Sequence, residues 1–180
     1  MKRGIATWLL GMAVLALQGA LTRVLPFALA PDVLLLGVVA LGLHWQGRTA
    51  GLWLVAALGF GVDAVSGSLF GQHALLYLVV FVVTAKLSRP LYLRGSVALA
   101  LFAALATVLT AGLAATLTVL LTGAPFPAWA WGIDLAIHAA INGVFAPGVS
   151  AGLALWLGWL AGDEVASNRP VPLESRSGAA

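Results

Sequence analysis

Six apolar stretches dominate the chain, at about residues 5–25, 32–46, 50–65, 72–88, 96–122 and 131–161. Short runs of proline, glycine and charge separate them. A helical bilayer crossing takes about 20 predominantly apolar residues. Within lipid, backbone N–H and C=O groups have to be satisfied inside the protein, and a helix does this segment by segment. The pattern therefore predicts an all-α fold, a polytopic transmembrane helical bundle of about six helices. The second stretch is short for a crossing. The sixth is too long for one straight crossing, and Gly143, Pro147 and Gly148 predict a kink or break inside it. A five-span arrangement, with the second and third stretches merged into a re-entrant hairpin, is the competing topology.

Composition excludes most other classes. The 180 residues are 62% hydrophobic and 8% charged, against about a quarter charged in a soluble domain. Mean hydropathy is +1.05. Residues 1–161 read as a single transmembrane domain with no room for an extramembrane catalytic domain. Residues 162–180 are polar, contain Pro170 and Pro172, and read as a disordered cytoplasmic tail. Cysteine is absent, so disulfides, thiolate catalysis and cysteine metal sites are excluded. The net charge of +3 comes from few basic residues scattered between apolar runs. That distribution fits topology determination rather than nucleic-acid binding. Met1-Lys2-Arg3-Gly4 followed by apolar residues resembles a signal peptide, but more apolar segments follow, and an uncleaved signal anchor is the expectation.

Six crossings place both ends of the chain on one side. Lys2, Arg3, Arg48, Lys86, Arg89, Arg94, Arg169 and Arg176 then fall on that side, and only Arg23 falls opposite. The positive-inside rule makes the shared side cytoplasmic. Trp8, Trp45, Trp53, Trp156 and Trp159 lie near the cytoplasmic ends and Trp129 and Trp131 near the outer end, as two interfacial belts. The outer connections are short. Small residues form candidate packing faces: Ala103, Thr107, Ala111 and Ala115 in the fifth stretch, and the GxxxG pairs Gly148/Gly152 and Gly158/Gly162 in the sixth. Packing within the chain is the expected use of these faces.

Ionisable groups at membrane depth are costly and mark structural or functional sites. The topology gathers Arg23, Asp32, Asp63, His73, Asp134 and His138 in the outer half. Asp32 and Asp134 stand near helix starts, where a carboxylate meets free N–H groups and the positive end of the dipole. Asp63 lies near the end of its stretch, the unfavourable end for an anion. It requires a cation or hydrogen-bond donor, with Arg23 and His73 as candidates. Gly59 and Gly61 permit close approach of a neighbouring helix, Ser66-Gly67-Ser68 forms a turn, and Gly71 begins the return helix. The unit reads as a tight helical hairpin with a polar tip. Gln18 and Asn142 are mid-span amides suited to helix-to-helix hydrogen bonds, and His44 marks the cytoplasmic interface. No metal-ligand set, phosphate cradle, HExxH, GxGD or serine-nucleophile motif is present, so the expectation is a protein without enzymatic activity, metal or cofactor.

The ordered set Pro31-Asp32-Val33-Leu34-Leu35-Leu36-Gly37, Gly51, Gly59-Phe60-Gly61-Val62-Asp63-Ala64-Val65-Ser66-Gly67 and Phe70-Gly71-Gln72-His73-Ala74-Leu75-Leu76-Tyr77 resembles the MreD family of bacterial rod shape-determining membrane proteins. The late Asn142 and Pro147 add to the likeness, and its specific part covers about residues 31–90. The resemblance implies a non-enzymatic inner-membrane scaffold of the cell-elongation complex. Its implied partners are MreC, the MreB cytoskeleton, RodA and its penicillin-binding transpeptidase, all within the lipid bilayer. It also implies an architecture similar to the S components of energy-coupling-factor transporters. That makes a vitamin-binding S component the alternative from another class.

Overall fold

Six helices follow one another along the chain: α1 (Lys2–Leu21), α2 (Val33–His44), α3 (Arg48–Ser66), α4 (Gln72–Leu87), α5 (Ser96–Thr122) and α6 (Trp131–Ser167). The computed structural model describes residues 2–21, 29–67, 69–88, 95–123, 125 and 131–167. Among these residues there is no strand. Stretches Lys2–Ala20, Arg48–Ser66, Ser96–Thr122 and Gly132–Gly162 are each long and apolar enough to cross a membrane, while α2 and α4 are shorter apolar helices. Arg23 and the chain from residue 168 onward lie outside the described residues.

The short helix α2 sits at the centre. It touches all five other helices, which close around it in the order α1, α3, α4, α5, α6 and back to α1. Its sequence explains the position. The run Val33-Leu34-Leu35-Leu36-Gly37-Val38-Val39-Ala40-Leu41 has no polar face, and a helix apolar all round is one that is buried. Leu34, Leu35, Leu36, Val38, Val39, Ala40 and Leu41 are all buried. The outer helices turn only one face to it and expose Leu101, Leu105 and Leu109 of α5 or Val144 and Leu155 of α6. Such exposure suits a lipid surround. Threonines within the helices are made tolerable by back-bonding. The hydroxyls of Thr84 and Thr107 donate to the carbonyls of Val80 and Ala103 at 2.7 and 2.8 Å.

Close approach is set by a few glycines. A β-carbon on Gly59 would fall on the backbone of Ala74, 2.6 Å from its nitrogen, so α3 and α4 touch backbone to backbone there. Gly143 plays the same part between α6 and α5, where a β-carbon would lie 2.9 Å from the Ala100 carbonyl oxygen. Gly61 instead faces α1, where a β-carbon would meet the flexible side chain of Met12.

Several expectations change. The sixth stretch is not broken: α6 stays helical through Pro147. Proline removes one backbone donor, and in the middle of a long helix packed on α2 and α5 the neighbouring turns hold the geometry. The helix also continues to Ser167, five residues past the expected start of the tail at 162. The six-helix expectation holds against the competing merged hairpin: the second and third stretches are separate helices, and α3 packs chiefly on α4 and α1 rather than on α2. Nothing lies within 4 Å of a β-carbon built on Gly148, Gly152, Gly158 or Gly162, so the GxxxG pairs are not packing faces within the described chain. By contrast Ala103 and Thr107 are buried.

These observations separate two glycine substitutions. Gly59→Ala should destabilise the bundle by about 1–3 kcal/mol, the usual cost of overpacking. Gly148→Ala should be neutral or stabilising by up to about 1 kcal/mol. Unfolding midpoints of the two purified variants in the same detergent check the contrast.

Candidate functional site

The carboxylate of Asp63 is fully buried at the end of α3. Its own helix offers it only carbonyl oxygens, yet it faces the start of α4, where the first turn leaves N–H groups without intrahelical acceptors. Asp63 Oδ2 accepts from the backbone N–H of Gly71 at 2.9 Å and of Ala74 at 3.4 Å. Oδ1 accepts from the backbone N–H of His73 at 2.9 Å. His73 Nδ1 lies 2.8 Å from the same Oδ1. Facing a carboxylate oxygen, Nδ1 donates the hydrogen. Asp63 is thus a cap supplied to α4 by the preceding helix. This corrects the expectation that, unlike Asp32, it had no capping explanation. Gly71 makes the geometry possible. Its φ of 92° turns its N–H toward the carboxylate, a conformation that a β-carbon disfavours. Gly67, with φ 66°, ends α3 in the left-handed region.

A second set of polar ties joins α1, α2, α5 and α6. Asp32 is the N-cap of α2 and accepts from the Leu35 N–H at 3.0 Å, as the sequence predicts. Gln18 Nε2 of α1 donates to Asp32 Oδ1 at 3.3 Å. The backbone N–H of Asp32 donates to Asn142 Oδ1 at 2.8 Å, and Asn142 Nδ2 donates to Thr107 Oγ1 at 2.9 Å. Asn142 is fully buried and so ties three helices with one amide. Gln72 Nε2 bonds the Ala114 carbonyl of α5 at 2.9 Å. At the opposite end of the bundle, His44 Nε2 and Ser150 Oγ lie 2.9 Å apart.

These ties surround one cavity of about 520 Å³. Asp32, His73, Asp134 and His138 all line it, together with Gln18, Tyr77 and the Thr107–Val119 face of α5. Four of the six expected polar residues therefore do share one space, and Asp63 stands behind it as the partner of His73. Asp134 lies in the first turn of α6, as expected, but its exposed side chain makes no hydrogen bond with the described residues. Its acidity suits the helix dipole there, while the cap bond that Asp32 makes has no counterpart. Arg23, expected to balance the acids, lies outside the described residues. Tyr77, part of the family likeness in sequence, was not among the expected site residues. The signal was its position four residues after His73, which stacks the two side chains on one helix face; the rings meet edge to face at 6.1 Å. The same spacing relates Asp134, His138 and Asn142.

An all-helical bundle with buried polar ties, lipid-compatible outer faces and four helices long enough to span defines a polytopic membrane protein. The profile of the family described as rod shape-determining protein MreD matches residues 2–151, and the chain belongs to that family. No curated protein and no solved structure matches it, so the expected likeness to S components has no counterpart among solved structures.

The hydrogen bonds rank the polar residues by their structural weight. Bonds to charged groups contribute about 1.5–3 kcal/mol each, and stranded buried donors cost about 1–3 kcal/mol. Asp63→Asn should therefore lower unfolding free energy by about 2–4 kcal/mol, whereas Asp134→Asn should change it by less than about 1 kcal/mol. Unfolding of both variants in mixed micelles measures the difference.

Proposed function

We propose that this chain is a non-enzymatic inner-membrane scaffold of the bacterial cell-elongation complex, linking MreB and MreC to peptidoglycan synthesis by RodA and its penicillin-binding transpeptidase. Membership of the MreD family carries this reading. The polar chemistry supports it. Asp63, Asp32 and Asn142 direct hydrogen bonds to backbone amides and neighbouring helices, which is what a rigid docking body requires. In this reading the α3–α4 hairpin and the cavity face outward, both ends of the chain are cytoplasmic, and the outer hairpin shapes the surface that MreC recognises.

The alternative, a vitamin-binding S component, draws on the cavity alone. Among the described residues Tyr77 is the only phenolic or indole ring in its lining, a sparse aromatic surface for a planar vitamin. The scaffold reading is the stronger.

In a rod-shaped host depleted of its own MreD, the wild-type chain should restore rod shape and co-purify with MreC. Asp63→Asn should do both less well at equal membrane abundance. Full rod shape and unchanged MreC recovery in that variant would remove Asp63 from the docking account. Failure of the wild-type chain to recover MreC would remove the scaffold reading itself.

A further inference from the structure

The cavity has a chemical bias that the helix-tying bonds do not use. Asp32 and Asp134 bring two carboxylates to its wall, and no lysine or arginine among the described residues lines it. The hydroxyls of Thr107, Thr110 and Thr118 donate back to the carbonyls of Ala103, Ala106 and Ala114, so they offer the cavity only lone pairs. His73 borders the same space with its Nδ1 committed to Asp63. Asp134 makes no hydrogen bond with the described residues. Tyr77 is only 4% exposed, lines the same space, and has no hydrogen-bond partner for its hydroxyl among the described residues. A phenol so deeply buried ordinarily finds a partner. The described part of the wall is thus rich in acceptors and negative charge, and the Tyr77 hydroxyl there has no partner among the described residues.

The space is also of ligand size, since small-molecule pockets run about 300–1,000 Å³. Its α5 wall runs from Thr107 to Val119, about 18 Å at 1.5 Å per residue. The physical origin is the mismatch in helix length. Central α2 has 12 residues and α5 has 27, so the longer helix continues past the start of the shorter one.

We propose that this cavity binds an organic cation carrying a primary ammonium or guanidinium group, held by Asp134 and Asp32 with Tyr77 and His73 beside them. An ammonium supplies only donors, which matches the carboxylate oxygens and threonine lone pairs of the wall. An anion would face two carboxylates, and the N-termini of α2 and α4 are already capped by Asp32 and Asp63. The inference rests on the cavity and not on the scaffold reading.

The test uses the purified full-length chain at low ionic strength, titrated calorimetrically with agmatine, a dication with one ammonium and one guanidinium end. Neutral 1,5-pentanediol and dianionic glutarate serve as controls of similar length. Agmatine should bind saturably and the controls should not. Asp134→Asn should weaken agmatine binding at least about tenfold while keeping the wild-type unfolding midpoint, because its carboxylate holds no other group among the described residues. Tyr77→Phe should weaken it by about threefold, the loss of one hydrogen bond. Repeating the titration in nanodiscs identifies the source of the cation. Weaker agmatine binding in phosphatidylethanolamine than in phosphatidylcholine assigns the site to a lipid ammonium, and equal binding assigns it to a soluble amine; either supports the site. Absence of saturable agmatine binding, equal binding by Asp134→Asn, or binding of glutarate in its place would overturn the proposal.

Discussion

A buried carboxylate at the end of a membrane helix is the interaction on which the rest of this structure depends. Asp63 would be costly in that position if left alone. The start of α4 carries the complementary problem, donors without acceptors. Placing the one against the other resolves both. The backbone N–H groups of Gly71, His73 and Ala74 converge on one carboxylate. Three other features follow from that bond set. Gly71 has to adopt a positive φ to deliver its N–H. Gly59 has to lack a side chain so that α4 can come close enough. His73 is turned so that one ring nitrogen meets Asp63 and the ring borders the cavity.

The polar ties matter because apolar packing specifies little in lipid. Hydrocarbon tails are as apolar as leucine, so helix association there relies on close backbone approach and interhelical hydrogen bonds. Central α2 shows the division of labour. Its leucines and valines fill the interior, but its register is set at its start, where Asp32 caps the helix and Asn142 receives the Asp32 N–H. Asn142 then reaches Thr107, whose own hydrogen is spent within α5. One amide therefore fixes the relative height of three helices. A scaffold that presents a defined surface to partners needs such fixed heights more than it needs extra apolar area.

The six helices were legible because apolar length and proline–glycine punctuation are local properties of the sequence. So was the cap at Asp32, where proline, acid and apolar run stand together. The gathering of Asp32, His73, Asp134 and His138 followed from counting crossings. The role of Asp63 was only half legible. The sequence showed that it needed donors and pointed to His73, but the chief donors are backbone groups, which carry no residue identity. Tyr77 was not placed in the site because a tyrosine in an apolar helix looks like packing until the residue is found lining a cavity. The GxxxG pairs of α6 misled for the opposite reason. Small residues permit close approach, and nothing local says whether a neighbour is there. Pro147 likewise signals a lost donor but not a break, since helix continuity is settled by what packs around it.

The central claim is that the Asp63 carboxylate holds the start of α4 against α3. Residue-resolved hydrogen exchange of the protein in lipid nanodiscs addresses it most directly. In the wild type the amides of Gly71, His73 and Ala74 should be protected like those of the bundle interior, although no helical carbonyl of α4 covers them. In Asp63→Asn they should exchange at least about tenfold faster, the kinetic counterpart of about 1.4 kcal/mol, while the Leu35 amide capped by Asp32 keeps its protection. Equal protection at residues 71, 73 and 74 in the two proteins would contradict the account.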